Sequence, residues 1–274
     1  MGQVSLTYTK DTDSGREFVN LTTDDFQNTL VEIINKKCDH ILINTEFNWD
    51  VNYILDLLKS GNKIKGLCIV DDNFNLDIIA GLKDLEVLSV NFSKLTKGEI
   101  DFSNFEKLKY LSFQYANGLK NIETLENLEF LHCSRWPFEN LMTISKNEKL
   151  KILKLDYPRK LLSLKGVEKI TSLKRIDIYS APNLKSIDDL LFIAESIRFL
   201  LFEKCPKIES YSVLNSITSL ESLLLAKSTP IENVEFLRNA INLKYAYIGV
   251  EILDGKVDIL KEKNIEFKKY KSYL

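Results

Sequence analysis

Two histidines, at positions 40 and 132, are the side chains of this sequence whose charge changes near neutral pH, so they are the first candidates for acid–base chemistry. A catalytic histidine needs a nucleophile or a carboxylate oriented beside it. The neighbours expected for His132 on adjacent strands are Ser112 and Lys154, and neither activates an imidazole in a familiar way. His40 begins an early predicted strand, at an exposed or edge-packed position. We interpret His132 as a surface contact residue rather than a catalytic one.

The sequence offers few other groups for catalysis. It has no glycine-rich phosphate loop, no nucleophile elbow and no pair of histidines at helical spacing. A second candidate site consists of Glu46, Trp49 and Asp50, but a helix start in which Asp50 is the cap and Trp49 packs explains these residues better. We therefore expect no catalytic residues, no cofactor and no enzymatic activity.

The four cysteines, at positions 38, 68, 133 and 205, are far apart and have no histidine at the spacing of zinc ligands. We expect them to be unpaired thiols that bind no metal. Cys133 occupies an inward position of its predicted strand and Cys205 a turn position, where a small apolar side chain fits.

A repeated hexad, apolar at its first, fourth and sixth residues, predicts the elements that position all of these side chains. Alternation of the fourth and sixth residues is the period of a strand with one buried face. Segments between the hexads, such as IDDLLFIAESI, have apolar residues three and four apart and predict short helices. Nine hexads follow one another at steps of 20 to 24 residues, and their first residues are Ile64, Leu85, Leu108, Leu128, Leu150, Leu173, Ile197, Leu220 and Leu243.

The hexads and their spacing resemble those of the leucine-rich repeat superfamily over roughly residues 38–250. The resemblance implies an α/β fold: a curved right-handed solenoid with a parallel β-sheet on its concave face and short helices on its convex face. The chain departs from the family in the turn after each strand, where an asparagine ladder is common. Because other residues stand there, we expect these turns to satisfy their backbone donors in another way. The residues are Asp72, Ser93, Ala116, Trp136, Pro158, Ala181, Cys205, Ser228 and Glu251.

The whole chain, 1–274, is predicted to be one domain with an N-terminal cap over 1–37, repeats over 38–250 and a C-terminal cap over 251–274. The first cap is expected to hold a hairpin that pairs Val4–Tyr8 with Phe18–Leu21, followed by a helix capped by Thr22 and Asp25. A degenerate repeat follows, with a strand at 40–44 and a helix from Asp50 to about Ser60 that Gly61 closes. The second cap is predicted to contain a helix, VDILKEK, and a strand at 265–267.

The third and fifth residues of each hexad, and the residue after the sixth, point away from the core, and stacking places equivalent positions side by side. This face combines aromatic side chains with charges of both signs, as protein interfaces do. The alternative is that the aromatic rings only cover their own sheet. The residues expected to bind a protein partner are Tyr110, Phe130, His132, Lys154, Asp156, Arg175, Asp177, Tyr179, Phe199, Glu203, Tyr245 and Tyr247.

Charge and composition narrow the class of partner. The 37 Lys and Arg residues against 39 Asp and Glu residues give a net charge of −2, which disfavours binding to nucleic acid. No apolar run is long enough for a membrane helix and no signal peptide is apparent, so we expect a cytoplasmic protein. The composition, rich in Lys, Asn and Ile, fits a bacterium of low GC content, where stand-alone leucine-rich repeat proteins resemble immunity or inhibitor proteins. The alternative function is a receptor for a small ligand or carbohydrate. The partner's identity and the oligomeric state stay open.

Overall fold

The structure is a computed structural model that describes residues 6–11, 15–20, 26–44, 57, 63–70, 76–91 and 98–267. The chain divides into two compact units, Met1–Leu128 and Glu129–Leu274, which are described one at a time. The division into two caps and a run of repeats remains a prediction.

Every hexad forms a strand of five residues, which begins at the third residue of the hexad and ends one residue after the sixth. The fourth and sixth side chains point into the core, as the alternation predicts. In the strand Phe199–Glu203, for example, Leu200 is 2% exposed and Phe202 is fully buried. The first residue of each hexad is buried before the strand begins, as Leu173 and Leu220 are, except for the half-buried Leu243. The apolar residues of each hexad therefore pack in the interior, which removes their surface from water.

The first unit opens with the predicted hairpin and then builds parallel strands. Strand β1 (Tyr8–Lys10) pairs antiparallel with β2 (Glu17–Asn20), and β2 pairs parallel with β3 (His40–Asn44). The helix α1 (Phe26–Asn35) lies between them in sequence and buries Leu30 and Ile33. Val4, Thr22 and Asp25 are outside the described residues. The parallel sheet continues through β4 (Gly66–Val70), β5 (Val87–Asn91) and β7 (Tyr110–Gln114), and a separate pair is formed by β6 (Ile100–Asp101) and β8 (Leu119–Lys120).

The second unit is a parallel sheet whose strands pair in register with the next strand along the chain. The predicted C-terminal helix and strand are both present, as α3 (Asp258–Glu262) and as β15 (Glu266–Phe267), which pairs with β14. The strands before β15 are β9 (Phe130–Ser134), β10 (Ile152–Asp156), β11 (Arg175–Tyr179), β12 (Phe199–Glu203), β13 (Ser222–Ala226) and β14 (Tyr245–Gly249).

The short helices predicted between hexads are mostly 3₁₀ helices. The tighter 3₁₀ turn suits a connection that must return the chain within a few residues, because it closes a turn with three residues instead of four. Helix α2 (Phe236–Asn239) is a single α-helical turn. The helix predicted from Asp50 lies outside the described residues. The 3₁₀ helices are Leu76–Gly81, Phe102–Asn104, Ile122–Thr124, Met142–Ile144, Val167–Lys169, Asp188–Ile193 and Ser212–Ser216.

The turns after strands β9 to β13 share one backbone hydrogen bond, which stands in place of an asparagine ladder. The residue that follows each of the strands β9 to β13 has a left-handed conformation, and its N–H donates to the carbonyl of the residue that ends the next strand. The N–H of Arg135 donates to Asp156 at 2.7 Å, and that of Ser180 to Glu203 at 2.8 Å. The residues in this conformation are Arg135, Tyr157, Ser180, Lys204 and Lys227, with φ between 49° and 63°.

In the turns after β9 to β12 the ladder position is filled by buried residues. Trp136 is 1% exposed, and Ala181 and Cys205 are fully buried. The N–H of Cys205 donates to the hydroxyl of Ser228 in the next turn at 3.0 Å. Burial raises the pKa of the Cys205 thiol to about 11. Cys133 is also fully buried, so the inward position predicted for it is confirmed, and Cys205 is buried in the turn where it was predicted.

We expect Cys205 to resist alkylation in the folded protein. With its pKa raised, only about one thiol in a thousand is ionised near pH 8, and the thiolate is the reactive form. Iodoacetamide labelling followed by peptide mass spectrometry should find Cys205 modified far more slowly in native protein than in denaturant, whereas the partly exposed Cys38 is the internal control. Equal rates for Cys205 in both conditions would contradict its burial.

A matched pair of phenylalanines on β12 tests the division between core and surface. Phe202 is fully buried and Phe199 is 37% exposed. Phe202→Ala should lower the free energy of unfolding by about 3–5 kcal/mol because it opens a core cavity. Phe199→Ala should lower it by about 1 kcal/mol or less. Urea denaturation followed by circular dichroism measures both, and similar losses would show that both rings stabilise the core.

Candidate protein-binding surface

The sheet of the second unit has one face in the core and one face turned outward, here named the exposed sheet face. Its residues occupy alternate positions on β9 to β14, because the intervening positions carry the buried residues of the hexads. In-register pairing aligns them in three rows across the strands. The rows are 130, 152, 175, 199, 222 and 245; 132, 154, 177, 201, 224 and 247; and 134, 156, 179, 203, 226 and 249.

His132 is held by a carboxylate, contrary to expectation. Its Nε2 lies 2.8 Å from Oδ2 of Asp156, and the two side chains are 25% and 36% exposed. Lys154 lies directly beside His132 on β10, as the repeat predicts. The hydrogen bond runs diagonally instead, to Asp156, which is two residues further along β10. Side chains of this length reach diagonal partners across a sheet. The pair fixes the orientation of the imidazole at the surface.

The other charged side chains of β10 and β11 are also held in place by contacts. The Nε of Arg175 donates to both carboxylate oxygens of Asp177, at 3.0 and 2.8 Å. The Arg175 guanidinium also lies 5.9 Å from the ring centre of Phe199, and the Lys154 ammonium lies 5.4 Å from that of Phe130. Cations at such distances are attracted to aromatic faces. This part of the face therefore presents charged groups in fixed positions.

The part of the face on β12 to β14 is apolar. Phe199 and Tyr245 are 37% and 50% exposed, and Leu201, Leu224 and Tyr247 are half-buried. Tyr247 lies over Gly249 on its own strand, because a Cβ at Gly249 would come within 2.5 Å of the tyrosine ring. The glycine thus gives the ring its position. These side chains form an apolar area beside the charged groups of β10 and β11.

Two of the aromatic residues expected to contact a partner are buried instead. Phe130 is 5% exposed, and Tyr110, which belongs to the first unit, is 7% exposed. For these two rings the alternative interpretation, that they cover their own sheet, fits their burial.

A cluster at the carboxyl ends of the strands was missed by the sequence analysis, apart from Tyr179 and Glu203. The Lys204 ammonium donates to the Tyr179 hydroxyl and lies 4.6 Å from the centre of that ring. This hydrogen bond raises the pKa of Lys204. The rings of Tyr157 and Tyr179 meet edge to face with their centres 5.6 Å apart. Glu203 faces Lys227 at 3.8 Å. The signal that could have revealed the cluster is the position directly after each strand, which holds Tyr157, Lys204 and Lys227.

Within the described residues, no group of three or more His, Cys, Asp or Glu side chains is arranged to hold a metal ion. Among the same residues, no helix has the length and apolarity needed to cross a membrane. His40 is half-buried on β3, a strand that pairs with β2 and β4; its Nδ1 lies 2.7 Å from Asp39 and its ring covers Gly66. Glu46, Trp49 and Asp50 lie outside the described residues.

The fold is that of leucine-rich repeat proteins. The structure is similar to that of an internalin from Listeria monocytogenes with a TM-score of 0.51 and 15% sequence identity, covering 93% of this chain and 86% of that chain. A leucine-rich repeat protein from Leptospira interrogans matches with a TM-score of 0.46 and 18% identity over 75% of this chain and 61% of its own. No protein-family model and no curated protein sequence matches the chain. The strand that recurs with each hexad and the similarity to the internalin structure together establish the leucine-rich repeat solenoid as the class of fold.

Proposed function

We propose that this protein is a non-enzymatic interaction module that binds a protein partner on the exposed sheet face. The observation that carries the proposal is the exposure of Phe199 and Tyr245, 37% and 50%, on a face whose neighbouring charged groups are held in place. An exposed aromatic ring is a strong candidate for a binding hot spot, because a partner that covers it removes a large apolar area from water.

The charged groups beside the aromatic area support recognition of a protein rather than non-specific adhesion. Asp177 is 14% exposed and bonded through two oxygens to Arg175, so this pair is ordered before a partner arrives. Ordered side chains lose less conformational entropy on binding than free ones. The combination of an apolar area with ordered charges of both signs is typical of interfaces that select one partner.

The narrower proposal is an immunity or inhibitor protein in the cytoplasm of a bacterium, which covers the active surface of a toxin or effector. It is supported by the composition of the sequence and by the absence of an activated nucleophile motif. The gene adjacent to this one tests it: a toxin gene would support inhibition, and an operon for a transporter or glycosidase would support sugar binding instead.

A carbohydrate receptor is less well supported. Sugar sites use exposed aromatic faces next to hydrogen-bonding groups, and the indole of Trp136, which lines a groove of about 610 Å³ in the second unit, is 1% exposed. Tyr157 is the exposed ring there, at 48%. One exposed ring in that groove leaves the apolar area on β12 to β14 without a role.

We expect the triple variant Phe199→Ala, Tyr245→Ala, Tyr247→Ala to lose its protein partner while it keeps its fold. Each aromatic anchor in such a surface contributes about 2 kcal/mol or more to binding. The measurement is co-purification from the source cells, followed by lysine cross-linking of the wild-type complex. Cross-links from the partner to Lys154 on the exposed sheet face, and none to Lys169 on the 3₁₀ helix Val167–Lys169, are the expected result.

The control for this variant is the triple change Leu191→Ala, Phe192→Ala, Ile241→Ala, which removes exposed apolar side chains elsewhere in the second unit. It should retain the partner. If the exposed-face variant retained its partner at parental affinity, or if it melted far below the parent, the exposed sheet face would not be the binding surface.

A further inference from the structure

A groove follows the carboxyl ends of the strands of the second unit, at the edge of the exposed sheet face. One part has a volume of about 610 Å³ and is lined by Arg135, Trp136, Pro137, Tyr157, Arg159 and Lys160. The next part, of about 320 Å³, shares Tyr157 and Arg159 and continues past Lys204 to Lys227. Because the two parts share residues, they form one continuous surface.

The charge of this groove differs sharply from that of the whole chain. Five cations line it, Arg135, Arg159, Lys160, Lys204 and Lys227, and its lining includes no carboxylate. The whole protein has a net charge of −2. In the part of the chain that the structure describes, no carboxylate lies within 4.0 Å of the charged groups of Arg135, Arg159 or Lys160. Lys204 bonds to a tyrosine hydroxyl, and Lys227 faces Glu203 at 3.8 Å.

The backbone beneath these side chains is unusual for their residue types. Arg135, Tyr157, Lys204 and Lys227 have positive φ, a conformation that glycine or asparagine adopts at lower cost. The same turn recurs with long cationic or aromatic side chains where small residues would be more stable. Strained residues of this kind concentrate at functional sites, where the side chain is needed.

Prolines hold the groove in one shape. Pro137, Pro182 and Pro206 line it, each two residues after a left-handed residue. A fixed proline φ reduces the freedom of these turns before anything binds, and the rings add apolar walls beside Tyr157. The result is a preformed surface that offers cations and apolar contacts together.

We propose that this groove is a second binding site, distinct from the exposed sheet face, and that it binds an extended, acidic peptide segment of a protein. Parallel strands are spaced about 4.8 Å apart, so the edge from Arg135 to Lys227 spans about 19 Å, the length of about six extended residues. Carboxylates of the segment would pair with the arginines, whose planar guanidinium groups match them.

Nucleic acid fits this edge less well. The strands that end at the groove carry Asp156 and Glu203 in their last positions. A phosphate backbone carries a charge at every nucleotide, which would meet these carboxylates with like charge. Alternate side chains of an extended peptide point away from the groove, and a natural segment can also place apolar residues opposite the carboxylates. The prolines and Tyr157 suit such residues.

The test uses the full chain and measures fluorescence anisotropy of labelled octaglutamate, octaglutamine and an oligouridylate of the same length, at low and at physiological salt. We expect octaglutamate to bind at least about tenfold more tightly than octaglutamine. The variant Arg135→Gln, Arg159→Gln should lose about tenfold in affinity for octaglutamate with an unchanged melting temperature. The control Lys146→Gln, Arg238→Gln removes the same charge from exposed positions elsewhere in the unit and should bind as the parent does.

Three results would overturn the proposal: equal binding of octaglutamate and octaglutamine, an equal loss in the control variant, or tighter binding of the oligouridylate. The variant Phe199→Ala, Tyr245→Ala separates this site from the exposed sheet face. It should bind octaglutamate normally even if it has lost the protein partner, and a loss of octaglutamate binding would place the acidic segment on the sheet instead.

Discussion

The structure depends on one constraint: a single turn of this chain cannot bury its own apolar side chains. Each hexad contributes three such residues, and a strand with one short connection has no interior to receive them. They are buried only when the next turn stacks against them, with strands in register and turn joined to turn by backbone hydrogen bonds such as that from Arg135 to Asp156. The residue pattern within each hexad and the stacking of the turns are therefore consistent with each other. An apolar residue at an outward position of a hexad would face solvent instead of the core.

This constraint also determines which positions of the repeat can carry functional side chains. The inward positions are fixed by packing, so sequence variation is confined to the outward positions of the strands and to the turns that follow them. In the second unit these positions hold an apolar area centred on Phe199 and Tyr245, ordered charges around Arg175, and a cationic edge from Arg135 to Lys227. The core supplies rigidity, and the side chains outside it supply the chemistry that a partner would recognise.

The turns after the strands contribute both to the packing of the core and to the outward-facing side chains. The left-handed residue after each of the strands β9 to β13 directs its N–H to the next turn, where the sequence has no asparagine ladder. Buried residues such as Trp136 and Cys205 then close the core, and Ser228 satisfies the N–H of Cys205. The backbone bond does not involve the side chain of the left-handed residue, so residues as different as arginine, tyrosine and lysine can stand there.

The sequence by itself determined the strands, their inward residues and the fold class, because a period of two within each hexad and a nearly constant spacing between hexads admit one arrangement. It also indicated the hairpin, the first helix and the final strand. Only the tertiary structure decided that Phe130 is covered while Phe199 is exposed, that His132, which lies beside Lys154 in the sheet, bonds to Asp156, and that most of the connections are 3₁₀ helices. These features depend on how far side chains reach across neighbouring strands and on the space left between turns. Neither quantity can be derived from the spacing of residues along the chain.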